Sequence, residues 1–81
     1  MSSAELAASI GALVARIASI APPPPDADIY TAGFASTDAL ELLVELEDLH
    51  GVVIPDGDFI AARTTMDLAR LVETLQTGTP T

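Results

Sequence analysis

The hydrophobic residues of this chain fall into three stretches of helical periodicity. Apolar side chains recur mostly every three or four positions from Leu6 to Ile20, again after Ser36, and again from Leu68 to Leu75. This spacing places them on one side of an α-helix, which gives each helix a face to bury. We therefore predict three main helices. The apolar positions of the first are Leu6, Ile10, Leu13, Val14, Ile17 and Ile20.

The bounds of the first helix can be predicted from its flanking residues. Ser2 and Glu5 match the S-x-x-E capping box, so the helix is expected to begin near Ser3. We expect it to stop before Pro22–Pro25, because proline lacks an amide donor and disfavours helical angles in the residue before it. Residues 22–35 show no periodicity and form a long loop, of a length that is generally functional or disordered. Its candidate core anchors are Ile29, Tyr30 and Phe34.

The second helix is expected to begin at Ser36 and to end near His50 and Gly51, where glycine can adopt the left-handed cap conformation. On a helical projection its residues separate into two sides, with Val44 at the boundary. The apolar arc contains Ala39, Leu40, Leu42, Leu43, Leu46 and Leu49. The opposite side carries an acidic row, namely Asp38, Glu41, Glu45 and Asp48.

The sequence of the last third of the chain predicts a connector, then a short helix, then a long helix. Residues 52–54 favour a strand but have no partner run, so we interpret them as extended chain packed on the core. A short third helix is predicted over residues 58–62. Thr64 and Asp67 resemble a second capping box, and the helix after them has an apolar face formed by Leu68, Leu71, Val72 and Leu75. A flexible tail is expected from about Thr77.

Composition is consistent with an all-α fold, a small four-helix bundle with three main helices, a short third helix and a long first loop. The 81 residues, taken as one domain over 1–81, allow a small core and exclude a two-domain enzyme. Only three residues are aromatic and none is cysteine, which excludes disulfides and thiolate metal sites. Glu5 and Arg16 interrupt the apolar first helix, which also lacks a basic start, so we do not expect a signal peptide or membrane span.

The charge balance restricts the possible partners. The formal net charge is −9, the only basic residues besides one histidine are Arg16, Arg63 and Arg70, and lysine is absent. Nucleic acids and acidic membranes are therefore not expected as ligands, because both require a cationic surface. Basic protein surfaces are the expected partners, since long-range attraction would accelerate their association.

Neither catalysis nor metal binding is predicted from the polar residues. The single histidine, His50, lies fourteen residues after Ser36, or about 21 Å along a helix, so the two cannot form a dyad. The acidic row contains no histidine and lies on a convex face. Residues 56–58 do not match a calcium-binding loop, which needs further oxygen ligands.

Ser36 has two interpretations. Alone, it is an N-cap whose hydroxyl accepts an amide hydrogen bond, worth about 1 kcal/mol. Its surroundings suggest a second role, because Gly33 precedes it by three residues, Asp38 follows by two, and an acidic helix begins there.

That pattern resembles the acyl carrier protein family. The family's core motif is commonly G-x-D-S-L-D, followed by an acidic helix of E-L-V type, a glycine and an I-P turn. The resemblance extends through VVIPDGDF and the TT-M-DLARLV ending. The positions in register are Gly33, Ser36, Asp38, Glu41, Leu42, Leu46, Glu47, Gly51, Ile54 and Pro55.

The resemblance implies that Ser36 carries covalent 4'-phosphopantetheine, transferred from coenzyme A by a phosphopantetheinyl transferase, and that the chain itself is not an enzyme. Its cargo would be an acyl or aminoacyl thioester. Implied partners are that transferase and an acyltransferase, adenylating ligase or ketosynthase with a basic docking surface. The expected docking residues are Thr37, Asp38, Glu41, Val44, Glu45 and Asp48. A cytoplasmic monomer is expected.

Two positions depart from the family pattern. Ala35 stands where the family usually has Asp, and Thr37 stands where an apolar residue usually follows the serine. Together with arginine as the only strongly basic residue type and the abundance of Ala and Pro, these departures favour a specialised bacterial pathway of polyketide or nonribosomal peptide type, such as antibiotic biosynthesis. The position of Phe59 directly after the PDGD turn also resembles the pattern of D-alanyl carrier proteins, which hold an activated amino acid. The choice between an acyl and an aminoacyl cargo therefore stays open. The alternative is a non-carrier acidic interaction domain with an unmodified Ser36.

Overall fold

The computed structural model describes residues 2–77 and has four α-helices. These are α1 (Ser3–Ala18), α2 (Ser36–His50), α3 (Asp56–Ala61) and α4 (Thr65–Thr77). Within residues 2–77 no strand forms, and the only bridge is an isolated antiparallel pair between Asp28 and Thr64. The predicted all-α bundle with a short third helix and a long first loop is confirmed. Thr77 closes α4, and the rest of the predicted tail lies outside the described residues.

The first helix begins as predicted and stops before the prolines, but it ends at Ala18 and so leaves Ile20 outside the helix. The Ser2 hydroxyl accepts a hydrogen bond from the Glu5 amide at 3.1 Å, and the Glu5 carboxylate accepts one from the Ser2 amide at 2.9 Å. These bonds stabilise the ionised carboxylate and lower the pKa of Glu5. The C-cap is Ser19 in the left-handed conformation, with φ of 56°. The helix therefore ends four residues before the first proline, and the prolines belong to the loop.

The core lies between α1 and α4, and the other elements close over it. All four helices contribute buried apolar side chains, as the amphipathic patterns predict. Of the three loop anchors, Ile29 and Phe34 are buried and Tyr30 is half-buried. The main core residues are Leu6, Ile10 and Val14 of α1, Leu42 and Leu46 of α2, Phe59 of α3, and Leu68, Ala69 and Val72 of α4.

The long first loop is held by backbone hydrogen bonds to the chain around the start of α4. The Ile29 amide donates to the Arg63 carbonyl at 2.9 Å, and the Met66 amide donates to the Pro25 carbonyl at 3.1 Å. Burial of Ile29 and Phe34 adds an apolar anchor at its far end. The loop is therefore ordered, and it fixes where the chain enters α2.

The apolar arc of α2 is wider than the surface it buries. Leu42 and Leu46 are fully buried, whereas Leu40 and Leu49 are 68% and 59% exposed. The predicted arc is therefore only partly buried, because the bundle does not cover these two residues at its edges.

The chain between α2 and α3 is a connector that forms neither helix nor strand. Gly51 takes the left-handed conformation with φ of 64° and caps α2. The Ile54 side chain is buried, and its amide donates to the Glu47 carboxylate at 2.9 Å. Glu47 thus fastens this connector to α2. The third helix begins at Asp56, two residues earlier than predicted, directly after Pro55.

Candidate functional site

Ser36 is the first residue of α2, and it does not cap the helix. The N-cap is Ala35, in an extended conformation with φ of −81° and ψ of 150°, and its methyl side chain makes no cap hydrogen bond. The interpretation of Ser36 as an N-cap is therefore wrong. Its side chain is exposed, and within residues 2–77 its hydroxyl makes no hydrogen bond to another group.

Asp38 stabilises the start of α2 in place of an N-cap side chain. Its carboxylate accepts a hydrogen bond from the Ala35 amide at 3.3 Å, while its own amide donates to the Ala35 carbonyl at 2.9 Å. A carboxylate in the first turn also complements the positive end of the helix dipole. The amides of Ser36 and Thr37 find no acceptor in the part of the chain that the structure describes. Two unpaired N–H groups therefore accompany the free Ser36 hydroxyl.

The turn before α2 requires glycine. Gly33 has φ of 116°, and a Cβ atom there would lie 3.3 Å from the Cγ2 atom of Ile20. An L-residue would be strained on both counts. The next residue, Phe34, donates its amide to the Ile29 carbonyl at 3.0 Å and is buried. The position of Ser36 therefore depends on this turn.

A groove runs from Ser36 between α2 and α3. Its volume is about 560 Å³, within the range of small-molecule sites in proteins. Most of its wall is apolar. Ile60, which is 65% exposed, and Leu40 form part of this wall. The lining residues are Ser36, Ala39, Leu40 and Leu43 of α2, Asp56, Phe59 and Ile60 of α3, and Tyr30 and Arg63 beside them.

Arg63 forms a polar corner of this groove together with Asp28 and Tyr30. Its Nε and Nη2 atoms donate to the two carboxylate oxygens of Asp28, at 2.7 and 3.3 Å. Its guanidinium carbon lies 4.7 Å from the centroid of the Tyr30 ring. The hydrogen bond from Arg63 lowers the pKa of Asp28 and raises that of Arg63, while burial raises the pKa of Tyr30.

The predicted docking residues differ in their accessibility. Thr37, Glu41 and Asp48 are exposed. Val44 is 48% exposed, in agreement with its predicted boundary position. Glu45 is half-buried and lies 3.9 Å from Arg16 of α1, a long contact between largely solvated groups that contributes little. Asp38 is half-buried and bonded to the backbone.

His50 lies at the end of α2 opposite Ser36. Its backbone carbonyl accepts a weak hydrogen bond from the side-chain Nε2 atom of Gln76 at 3.5 Å. The structure does not bring the two side chains together, since they stand at the two ends of one helix. Over residues 2–77, no three histidine, aspartate or glutamate side chains are grouped so that they could hold a metal ion.

Across that same range, none of the helices has the length and apolar character needed to cross a membrane.

The sequence did not predict the polar corner of the groove. Asp28 and Arg63 lie 35 positions apart, so neither periodicity nor a short motif relates them. The one available signal was the scarcity of basic residues, because each of three arginines in a chain with twelve acidic groups has many possible partners.

An exposed serine at the first turn of an acidic helix, in a small four-helix bundle, defines a carrier-type domain. In agreement, the family model described as "Phosphopantetheine attachment site" matches residues 8–72. The match covers most of the chain, and the protein belongs to this family. Domains of this family bind 4'-phosphopantetheine covalently and act as carriers, without catalytic activity of their own. No curated protein sequence matches the chain significantly.

Proposed function

We propose that Ser36 is the attachment point of 4'-phosphopantetheine and that residues 1–81 act as one carrier domain. The observation that carries this proposal is the unbonded, exposed hydroxyl at the first residue of α2. A serine that capped the helix would lose a hydrogen bond on modification. Ser36 has no such bond to lose, so modification would leave the start of α2 intact.

The start of α2 fits a phosphodiester. The unpaired amides of Ser36 and Thr37 are donors for phosphate oxygens, and the helix dipole favours negative charge at this end. Asp38 lies in the same turn, but its carboxylate is turned back to the Ala35 amide. When bound, the group supplies the thiol that this cysteine-free chain lacks, and an acyl or aminoacyl cargo would be held on it as a thioester.

The groove between α2 and α3 supports a role in sheltering the cargo. Ser36 lies on its wall, so a chain tethered there reaches the groove without leaving the surface of the domain. Contact with the apolar wall would remove hydrocarbon from water and favour the sheltered state. Because Leu40 and Ile60 of the groove wall are exposed to solvent, the groove is open and the cargo would leave it again when a partner binds.

The exposed side of α2 supports docking of basic partners. Thr37, Glu41, Val44 and Asp48 are accessible along it, while Asp38 and Glu45 are partly engaged within the domain. Acidic groups around an exposed apolar residue match a partner surface with basic groups around an apolar contact. We assign the strongest docking contribution to Glu41, the accessible carboxylate of this side nearest to Ser36, and to Val44, its exposed apolar residue.

The proposed setting is a bacterial pathway of polyketide or nonribosomal peptide type, in the cytoplasm, with an acyltransferase, adenylating ligase or ketosynthase as partner. What supports it is the sequence around the serine. Ala35 and Thr37 replace the acidic and apolar residues usual in the family, and both are exposed where a partner would contact them. Partners adapted to these side chains would distinguish this carrier from others in the same cell.

The direct test is modification of the purified protein in vitro. Incubation with coenzyme A and a broad-range phosphopantetheinyl transferase is expected to add one phosphopantetheine mass to the intact protein. Ser36→Ala abolishes the addition, whereas Thr37→Ala, which removes the neighbouring hydroxyl, retains it. Addition to Ser36→Ala, or none to the unmodified protein with several competent transferases, contradicts the proposal.

A further inference from the structure

The wall of the groove beside Ser36 is not uniform. Leu40, Leu43, Phe59 and Ile60 supply an apolar surface, and Arg63 interrupts it with a cation. An acyl chain of hydrocarbon alone would match only the apolar part. The placement of a guanidinium beside the apolar wall therefore bears on which cargo fits.

Arg63 is held in a fixed orientation. Two of its nitrogens bond Asp28, and its guanidinium carbon lies over the Tyr30 ring. Asp28 is itself held, because its Oδ1 atom accepts from the amides of Tyr30 and Thr31 at 2.9 and 3.3 Å. Such a clamp reduces the side-chain entropy that a new hydrogen bond would cost.

The third nitrogen of this guanidinium, Nη1, remains available to a ligand. It makes no hydrogen bond with any other group of residues 2–77. The Arg63 side chain is 52% exposed, so water accepts hydrogen bonds from the Nη1 N–H groups when the groove is empty. An oxygen atom of the cargo can replace that water, whereas a methylene group cannot.

The charges around Arg63 select among oxygen-containing groups. Asp28 already neutralises the guanidinium, and Asp56 adds a further negative charge to the groove lining. A carboxylate on the cargo would meet this excess of negative charge and be repelled. A neutral carbonyl or hydroxyl oxygen accepts the hydrogen bond without that cost.

We propose that Arg63, clamped by Asp28 and Tyr30, is a specificity-determining residue of the groove and favours neutral acyl cargo that carries carbonyl or hydroxyl oxygens. Plain hydrocarbon chains and chains ending in a carboxylate are held less well. This inference rests on the proposed attachment of the arm to Ser36.

The test compares cargoes of equal length on the whole protein. A broad-range transferase loads octanoyl-, 3-oxooctanoyl- and 7-carboxyheptanoyl-pantetheine from the corresponding coenzyme A thioesters, and intact mass confirms each product. Amide NMR spectra then report contact with α3 and Arg63, and hydroxylamine cleavage reports how well each thioester is sheltered. Relative to the same thioester on free coenzyme A, which corrects for the intrinsic reactivity of each thioester, we expect the 3-oxo chain to be cleaved about three- to tenfold more slowly than the other two.

Variants distinguish the contribution of Arg63 from the effect of removing any arginine and from a loss of folding. Arg63→Gln removes the preference, Arg63→Lys retains part of it, and Arg70→Gln, an exposed arginine of α4 outside the groove, leaves it unchanged. Circular dichroism confirms that each variant is folded. Equal cleavage of all cargoes, or a preference that survives in folded Arg63→Gln, overturns the proposal while leaving Ser36 attachment intact. If no cargo can be loaded, attachment at Ser36 and the groove proposal both fail.

Discussion

At the scale of single residues, Ser36 and Thr64 show how position changes the role of a hydroxyl. Both stand beside a helix start with an aspartate following. The Thr64 hydroxyl accepts a hydrogen bond from the Asp67 amide at 3.0 Å, as predicted. Ser36 lies one residue further into its helix, where its hydroxyl makes no such bond. One side chain stabilises its helix, and the other remains free to react.

This difference predicts unequal stability effects for the same kind of substitution. Thr64→Ala is expected to lower the free energy of unfolding by about 1 kcal/mol, because it removes a cap. Ser36→Ala is expected to change it by less than about 0.5 kcal/mol, because it removes no contact. Urea denaturation followed by circular dichroism measures both. If Ser36→Ala lowered the free energy of unfolding as much as Thr64→Ala does, Ser36 would be shown to cap its helix.

Sequence reasoning located these positions but not their roles. The motifs at Ser2 and Thr64 specified real caps, since the following residues continue directly into the helix. At Ser36 the expectation of a capping hydroxyl was wrong by one position. The turn at Gly33 and the burial of Phe34 fix the path of the chain before α2, so that Ala35 is the N-cap residue. The family pattern singles out Ser36 as the proposed attachment point, but it contains no information on hydrogen bonding.

At the scale of elements, the first loop and the chain around the start of α4 act as one unit. Backbone bonds at Ile29 and Met66 join them, and the Arg63–Asp28 pair adds a side-chain contact. This unit carries the groove's polar corner and, through Phe34, the entry to α2. Only the apolar anchors of the loop were predictable, because pairing between distant segments leaves no periodic signal.

The Asp28–Arg63 pair predicts a pH-dependent contribution to stability. Hydrogen bonding by Arg63 lowers the pKa of Asp28 in the folded protein, whereas in the unfolded chain it returns to about 3.9. The pair therefore stabilises the fold above the unfolded-state pKa, and the contribution disappears as pH falls through the lower, folded-state pKa.

Asp28→Asn isolates this contribution from the other acidic groups. The difference in unfolding midpoint between the unmodified protein and Asp28→Asn is expected to be present at neutral pH and to shrink as the pH drops below about 4. Urea titrations of both proteins across this pH range measure it. A difference that stays constant or grows on acidification contradicts the assignment.

At the scale of the whole molecule, the net charge of −9 is distributed over a surface with few cations. The sequence was sufficient to predict four helices, their order and most of the core, because those depend on local periodicity. It could not predict which acidic groups remain free. Glu47 binds the connector amide, Asp38 binds Ala35, and Glu45 approaches Arg16, all through folded contacts.

Charge reversal distinguishes a local docking surface from the effect of overall charge. Glu41→Lys and Asp26→Lys change the net charge equally at exposed positions, but only Glu41 lies on α2 near Ser36. Glu41→Lys is expected to lower the kcat/KM of modification by the transferase about three- to tenfold at low salt, with less effect at high salt. Asp26→Lys is expected to have an effect under about twofold. Equal losses in both variants would show that only total charge matters.

The most direct measurement of the central claim is the intact mass of the protein purified from its natural source, with the modified residue located by fragmentation. Trypsin produces a single peptide of residues 17–63 that contains Ser36 and Thr37, since cleavage occurs only at arginine here. The account predicts one phosphopantetheine on Ser36, with or without a cargo thioester. A bare chain mass, even when a competent transferase is co-produced, or a group located on Thr37, would contradict it.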